Sequence, residues 1–185
     1  MPTTTHSTAT VPVDDRVALP TNIHAETTIL GAFLLDNNAW SEVAERLGAG
    51  DFALDSHQHI FSAMQKMFAV GRTVDLVTLS EQVRNCRDLE AVGGLAFLAS
   101  LTEGLPRQPA IGEYIGIVLE KSGLRQLAEL GQKTMSAAYG QAQAVDEVLE
   151  ITEQTLLGIS DRNVANSPES CERYVNRRSY QACEV

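Results

Sequence analysis

Cysteine is scarce in this 185-residue chain. Cys86, Cys171 and Cys183 form no CxxC or CxxH pair, so neither a zinc site nor a disulfide framework is indicated, and the thiols fit a reducing, cytoplasmic setting. Basic residues are also few: 14 Lys and Arg stand against 24 Asp and Glu, a net charge of −10. Grip on a phosphate backbone comes mainly from Lys and Arg displacing counterions, so this balance argues against direct DNA binding unless a local basic patch exists. No apolar run approaches the roughly 18 residues of a membrane span, and Met1 to Leu19 lacks a basic segment followed by an apolar stretch. Neither membrane insertion nor secretion is expected.

Catalytic motifs are missing too. There is no GxxxxGK[ST] loop and no Gly-Lys pair to cradle nucleotide phosphates, and GxSxG is absent. His57 and His59, two residues apart, would point about 200° from each other on a helix and cannot share a metal; a capping or packing role suits His57. Asp14-Asp15 lies in a segment with no pocket to shift a pKa. Aromatics are 5% of the chain, and Tyr114 and Tyr139 bracket a helical run at positions suited to packing rather than base stacking. No catalytic residue, cofactor or metal is expected, which leaves an interaction module.

What is present is helical periodicity. Residues 1–19, Thr-rich with Pro2 and Pro12, read as a disordered arm. Asn22 can cap a helix with Ile23, Thr27, Leu30 and Leu34 on one face, ended by Asp36-Asn37-Asn38. A short segment runs from Trp40 to Leu47. Asp55 and Gln58 resemble a capping box ahead of Ile60, Phe61, Met64, Met67 and Phe68. Asp75 can cap a helix with Leu76, Leu79 and Val83, and Gly93-Gly94 precede Leu95, Leu98 and Leu101, closed by Gly104 and Pro106.

About thirty helical residues then run from Pro109 to Tyr139, followed by Gly140 to Gln143 and a helix carrying Val145, Leu149, Thr152, Leu156 and Ile159. The expected architecture is all-α: a helical head (20–108), a long antiparallel helical hairpin (109–160) and a disordered tail (161–185). Ile111, Ile115, Val118, Leu119, Leu124, Leu127 and Leu130 surround more than one face of the first long helix. Two helices side by side bury only one seam, so the surplus implies another subunit, or else the hairpin folds back on the head. Gly112, Gly116 and Gly123 fall within about 40° of one another, a stripe that would admit close helix approach or reflect drift.

Leu19-Pro20-x-Asn22-x-x-x-Glu26, Leu30-Gly31, Leu34-Leu35-Asp36, Asp51-Phe52, His57, Ile60-Phe61, Gly71-x-x-Val74-Asp75-x-Val77-Thr78-Leu79, Gly93-Gly94-x-x-Phe97-Leu98 and Tyr114-x-x-Ile117-Val118-x-Glu120-Lys121-x-x-Leu124-Arg125 occur in this order. The ordered set, over about residues 19 to 160, resembles the N-terminal domain of the bacterial replicative DNA helicase DnaB family. The resemblance implies a helical head and hairpin, with hairpins pairing between subunits so that six chains form a collar, a trimer of dimers. It also implies contact with primase or a helicase loader, with ATP hydrolysis and translocation in a following RecA-like domain that this chain lacks. The chain departs from the family at His24-Ala25-Glu26, where Glu-Ala-Glu is common, and at the three glycines. Its residues after Ile159 resemble neither the family's linker nor its motor domain.

The leading expectation is therefore a noncatalytic assembly and docking module: a homo-oligomer, from dimer to hexamer, that meets full-length helicase, primase or a loader. The alternatives are a regulatory paralogue that co-assembles with a full-length helicase, or a fragment of an ATP-dependent helicase. The expected subunit interface is Val118, Leu124, Leu127, Val145, Leu149 and Leu156. The expected head core is Leu30, Phe33, Leu34, Ile60, Phe61, Met64, Phe68, Leu79 and Phe97. Six chains would bring a charge of about −60 to a collar, a further argument against direct DNA contact.

Overall fold

A computed structural model describes residues 18–166 apart from 87, 107–108 and 141–143. The arm proposed for residues 1–19, all but its last two residues, and the tail from 167 onward lie outside the described residues.

Two helix starts, those of α1 and the fourth helix, have a side-chain cap. Helix α1 (Ile23–Leu35) begins where the Asn22 side chain accepts the Ala25 N–H at 3.0 Å. A 3₁₀ turn (Asn37–Ala39) leads into α2 (Trp40–Arg46), and a second (Ala49–Asp51) leads towards α3 (Asp55–Ala69). The capping box expected at Asp55 does not form. Asp55 is already inside the helix, Leu54 occupies the cap position without a side-chain bond, and Gln58 Nε2 donates instead to the Phe52 carbonyl at 2.9 Å.

Helix α4 (Leu76–Asn85) is capped by Asp75, whose carboxylate accepts the Val77 and Thr78 N–H groups at 2.8 Å each. The Thr78 backbone bond holds that carboxyl below the usual aspartate range. Gly93 and Gly94, both with positive φ, turn the chain into α5 (Gly94–Ser100). Two long helices follow, α6 (Ile111–Gly140) and α7 (Val145–Asn166). All regular elements among the described residues are helical.

The core gathers from α1, α3, α4, α5 and the first half of α6. Leu30, Phe33, Leu34, Ile60, Phe61, Met64 and Leu79 are buried in it. Phe68 and Phe97 are half-buried at its edge, where Phe68 stacks on Trp40 at 4.2 Å and Trp40 meets Phe33 edge-on. Each fully buried large side chain contributes roughly 1.5–3 kcal/mol, so these helices are held by shared burial rather than by propensity.

The first half of α6 belongs to the head. Ile115, Val118 and Leu119 are buried in the same cluster as Phe33 and Ile60. Three expectations differ from the structure. Val118, at 1% exposure, cannot lie at a subunit interface. The head also does not end at residue 108, because one unbroken helix carries the chain from the core out into the hairpin. Nor is residue 161 the start of a tail, since α7 continues to Asn166.

Gly31 in α1 marks the closest approach in the head. A Cβ there would collide with the Leu101 carbonyl oxygen and come within 2.8 Å of Leu105 Cδ1. The three α6 glycines differ in setting: Gly116 is exposed with nothing near its Cβ position, Gly112 is half-buried and Gly123 is buried.

Candidate assembly surface

Beyond Arg125, α6 leaves the head and pairs with α7. The pairing is antiparallel, since Ser122 and Arg162 both bond Asp51 at one end and Thr134 and Thr152 meet midway. Leu130 and Ile159 are buried along this hairpin.

The hairpin carries far more apolar surface than its one seam covers. On α6, Leu124, Leu127, Met135 and Tyr139 are 42–82% exposed; on α7, Val145, Leu149, Ile151, Leu156 and Leu157 are 48–74% exposed. At about 100° per residue, Leu124, Leu127 and Met135 share an arc of about 80°, and Val145, Leu149 and Leu156 one of about 40°. These are continuous stripes of the kind that mark interaction sites, rather than scattered surface leucines. Of the expected interface residues, Leu124, Leu127, Val145, Leu149 and Leu156 are exposed in these stripes; Val118 is not. Tyr114 packs against the head core, whereas Tyr139 stands in solvent.

The seam itself is loosely closed. A groove of about 360 Å³ runs between the helices, with Leu130, Ala137, Val148 and Ile159 among apolar lining residues and Glu129 and Lys133 also in its wall. None of the five exposed interface residues lines it. Thr134 and Thr152 approach to 3.3 Å across it, and each hydroxyl also reaches the carbonyl four residues back, Leu130 at 2.8 Å and Val148 at 2.7 Å. Two hydroxyl protons thus serve three contacts, of which the one across the seam is the longest.

Beneath the hairpin, buried polar groups fix the head to α6. Glu26 accepts the Ala53 N–H at 2.9 Å and pairs with His57 Nδ1 at 2.7 Å. The imidazole stacks on Phe97 and meets Phe52 edge-on, and its Nε2 has no hydrogen-bond partner among the described residues. The tautomer with the proton on Nδ1 satisfies both facts. Arg125 donates to the Pro20 carbonyl at 2.9 Å and to the Asp51 carbonyl, tying the entering chain to the 48–53 loop. The Asp51 carboxylate accepts from Ser122 Oγ at 2.7 Å, from the Gly48 N–H at 2.8 Å and from Arg162 Nη2 at 2.9 Å.

Pattern reading overlooked this network, although Glu26, Asp51, His57 and Arg125 all stand in the ordered motif. The available signal was Arg125 on the same helix face as Val118 and Ser122, an arginine where an apolar residue belongs. No cluster of three or more His, Cys, Asp or Glu side chains that could hold a metal occurs among the described residues. No described helix is long and apolar enough to cross a membrane.

The family model for the DnaB-like helicase N-terminal domain matches residues 18–120, more than half of the chain. The chain belongs to that family. It is 35% identical over 152 residues to the replicative DNA helicase DnaB of Buchnera aphidicola, and 33% identical over 142 residues to that of Mycobacterium leprae. Those alignments take in 82% and 77% of this chain but only 33% and 23% of the relatives, so the chain spans a third or less of the length of the curated DnaB proteins it matches.

Among solved structures, the crystal structure of the N-terminal domain of DnaB helicase from Mycobacterium tuberculosis aligns with a TM-score of 0.71 at 30% identity, covering 76% of this chain and 99% of that one. A structure described as a DnaB-like replicative helicase and its interactions with primase aligns at 0.58 and 20% identity, over 80% of this chain and 32% of that one, and speaks for the fold alone. The resemblance read from the ordered motif, and the all-α fold it implied, are both correct.

Proposed function

We propose that this chain is a noncatalytic assembly and docking module of the replicative DNA helicase system, working in the cytoplasm. Its hairpins pair with those of further copies or of a full-length DnaB-family helicase, giving oligomers from dimer to hexamer, while the head presents a surface to primase or a helicase loader. Leu124, Leu127, Val145, Leu149 and Leu156 form the pairing surface. The observation that carries this reading is the exposure of five aliphatic side chains in two helical stripes on a hairpin whose groove none of them lines. The acidic balance supports protein rather than DNA as the partner. ATP hydrolysis, on this reading, belongs to a partner subunit.

Native mass spectrometry of the chain mixed with a full-length DnaB-family helicase and its primase tests this. A discrete complex containing this chain is expected, and Leu149→Glu with Leu156→Glu should abolish it. Absence of any complex with either partner would contradict the docking role. A drop in helicase ATPase on mixing would favour the regulatory form of the same reading.

A further inference from the structure

Helix α7 offers little of its described length to the interior. Among its described side chains only Ile159 is buried, and its seam with α6 includes a long threonine contact of 3.3 Å. One contact stands apart. Arg162 Nη2, from the last turns of α7, reaches both oxygens of Asp51 at 2.9 and 3.2 Å. Asp51 is a head residue whose side chain is 2% exposed, while that of Arg162 is 53% exposed. The same carboxylate holds Ser122 of α6 and the Gly48 N–H of the head loop.

Head, α6 and α7 thus converge on one carboxylate. The space beside it, bounded by Leu119, Gly123, Gln126 and Ile159, is about 10 Å³, room for about one water at most. The chemistry is asymmetric. Asp51 has two neutral donors besides Arg162, so part of its hydrogen bonding survives loss of the guanidinium. Arg162, half in water, can exchange Asp51 for solvent, and added salt weakens the pair.

We propose that the Asp51–Arg162 pair is a latch that sets whether the C-terminal turns of α7 lie down on the head. Closed, it seats Ile159 over Leu119 and Ser122 and fixes the hairpin's angle to the core. Open, it frees the turns from about Thr155 onward while the head stays folded, which changes the apolar surface the hairpin offers a neighbour. The latch is a property of the single chain and does not depend on the docking role.

Amide hydrogen exchange on the full chain tests it, with concentrations adjusted so that wild type and variants have equal mean mass by light scattering. Arg162→Ala should speed exchange in residues 155–166 by at least about tenfold, as expected for loss of a charge-assisted hydrogen bond, and leave α1, α3 and α4 unchanged. Asp51→Asn should produce the same pattern, and the double variant no further change in α7. Raising NaCl from about 0.05 to about 0.5 M should speed α7 exchange in the wild type but not in Arg162→Ala. Unaltered α7 exchange in Arg162→Ala would overturn the latch, and so would equal acceleration of every helix, which would make the pair a general stabiliser.

Discussion

Gly31 and Gly116 are both helical glycines, and their surroundings assign them opposite roles. The Leu101 carbonyl occupies the space a methyl at Gly31 would need, so Gly31→Ala must push α1 away from the chain end of α5. We expect a loss of about 1–3 kcal/mol, and a melting temperature several degrees lower, despite alanine's better helix propensity. Gly116 meets open space, and Gly116→Ala should stabilise by about 0.5–1 kcal/mol. Thermal unfolding followed by circular dichroism checks both; the same sign of shift in the two variants would contradict the packing described.

Single residues also mark the limit of reading a sequence. Asn22 and Asp75 are legible as caps because an N-cap needs only its own helix. Asp55 looks equally suitable, but the preceding 3₁₀ turn starts the helix one residue early and sends Gln58 back to Phe52. Glu26, Asp51, His57 and Arg125 bond to partners 27 to 111 residues away in the chain, and no local pattern encodes such pairs.

At the scale of elements, α6 is two helices in one. Its period shows which residues share a face, but not what that face meets. Ile115, Val118 and Leu119 turn to the head, whereas Leu124 and Leu127, one to three turns further on, face solvent. The misassignment of Val118 follows from that, as does the expectation of a boundary at residue 109. Arg162 was read as tail for a related reason: a half-exposed arginine has no apolar period, yet its contact with Asp51 orders the last turns of α7.

The loosely closed seam between α6 and α7 makes a prediction of its own. Replacing Thr134 and Thr152 together by valine keeps the shape and gives the groove two methyls in place of two hydroxyls, each spent on a carbonyl already bonded within its helix. The double variant should be more stable by about 1 kcal/mol in denaturant titration. A loss of similar size would show that the hydroxyls do hold the seam, through bridging water.

For the whole molecule, the all-helical class and the order of the described helices are legible because amphipathic period and capping residues repeat the same message along the chain. The surplus of apolar residues on the long helices was legible as well, and half of it proves to serve the chain's own head. The other half stays outside: Leu124, Leu127, Val145, Leu149 and Leu156 remain about 40–75% exposed on a hairpin whose outer face no other described residue covers. That surface, together with membership of the DnaB-like helicase N-terminal domain family, is the basis of the assembly proposed above.

Sedimentation velocity on the isolated chain at tens of micromolar, with and without Leu149→Glu and Leu156→Glu, tests the central claim most directly. The account predicts a species at a whole multiple of 20.1 kDa for the wild type and a folded monomer for the variant. A wild type that sediments as a monomer across that range, indistinguishable from the variant, would contradict it.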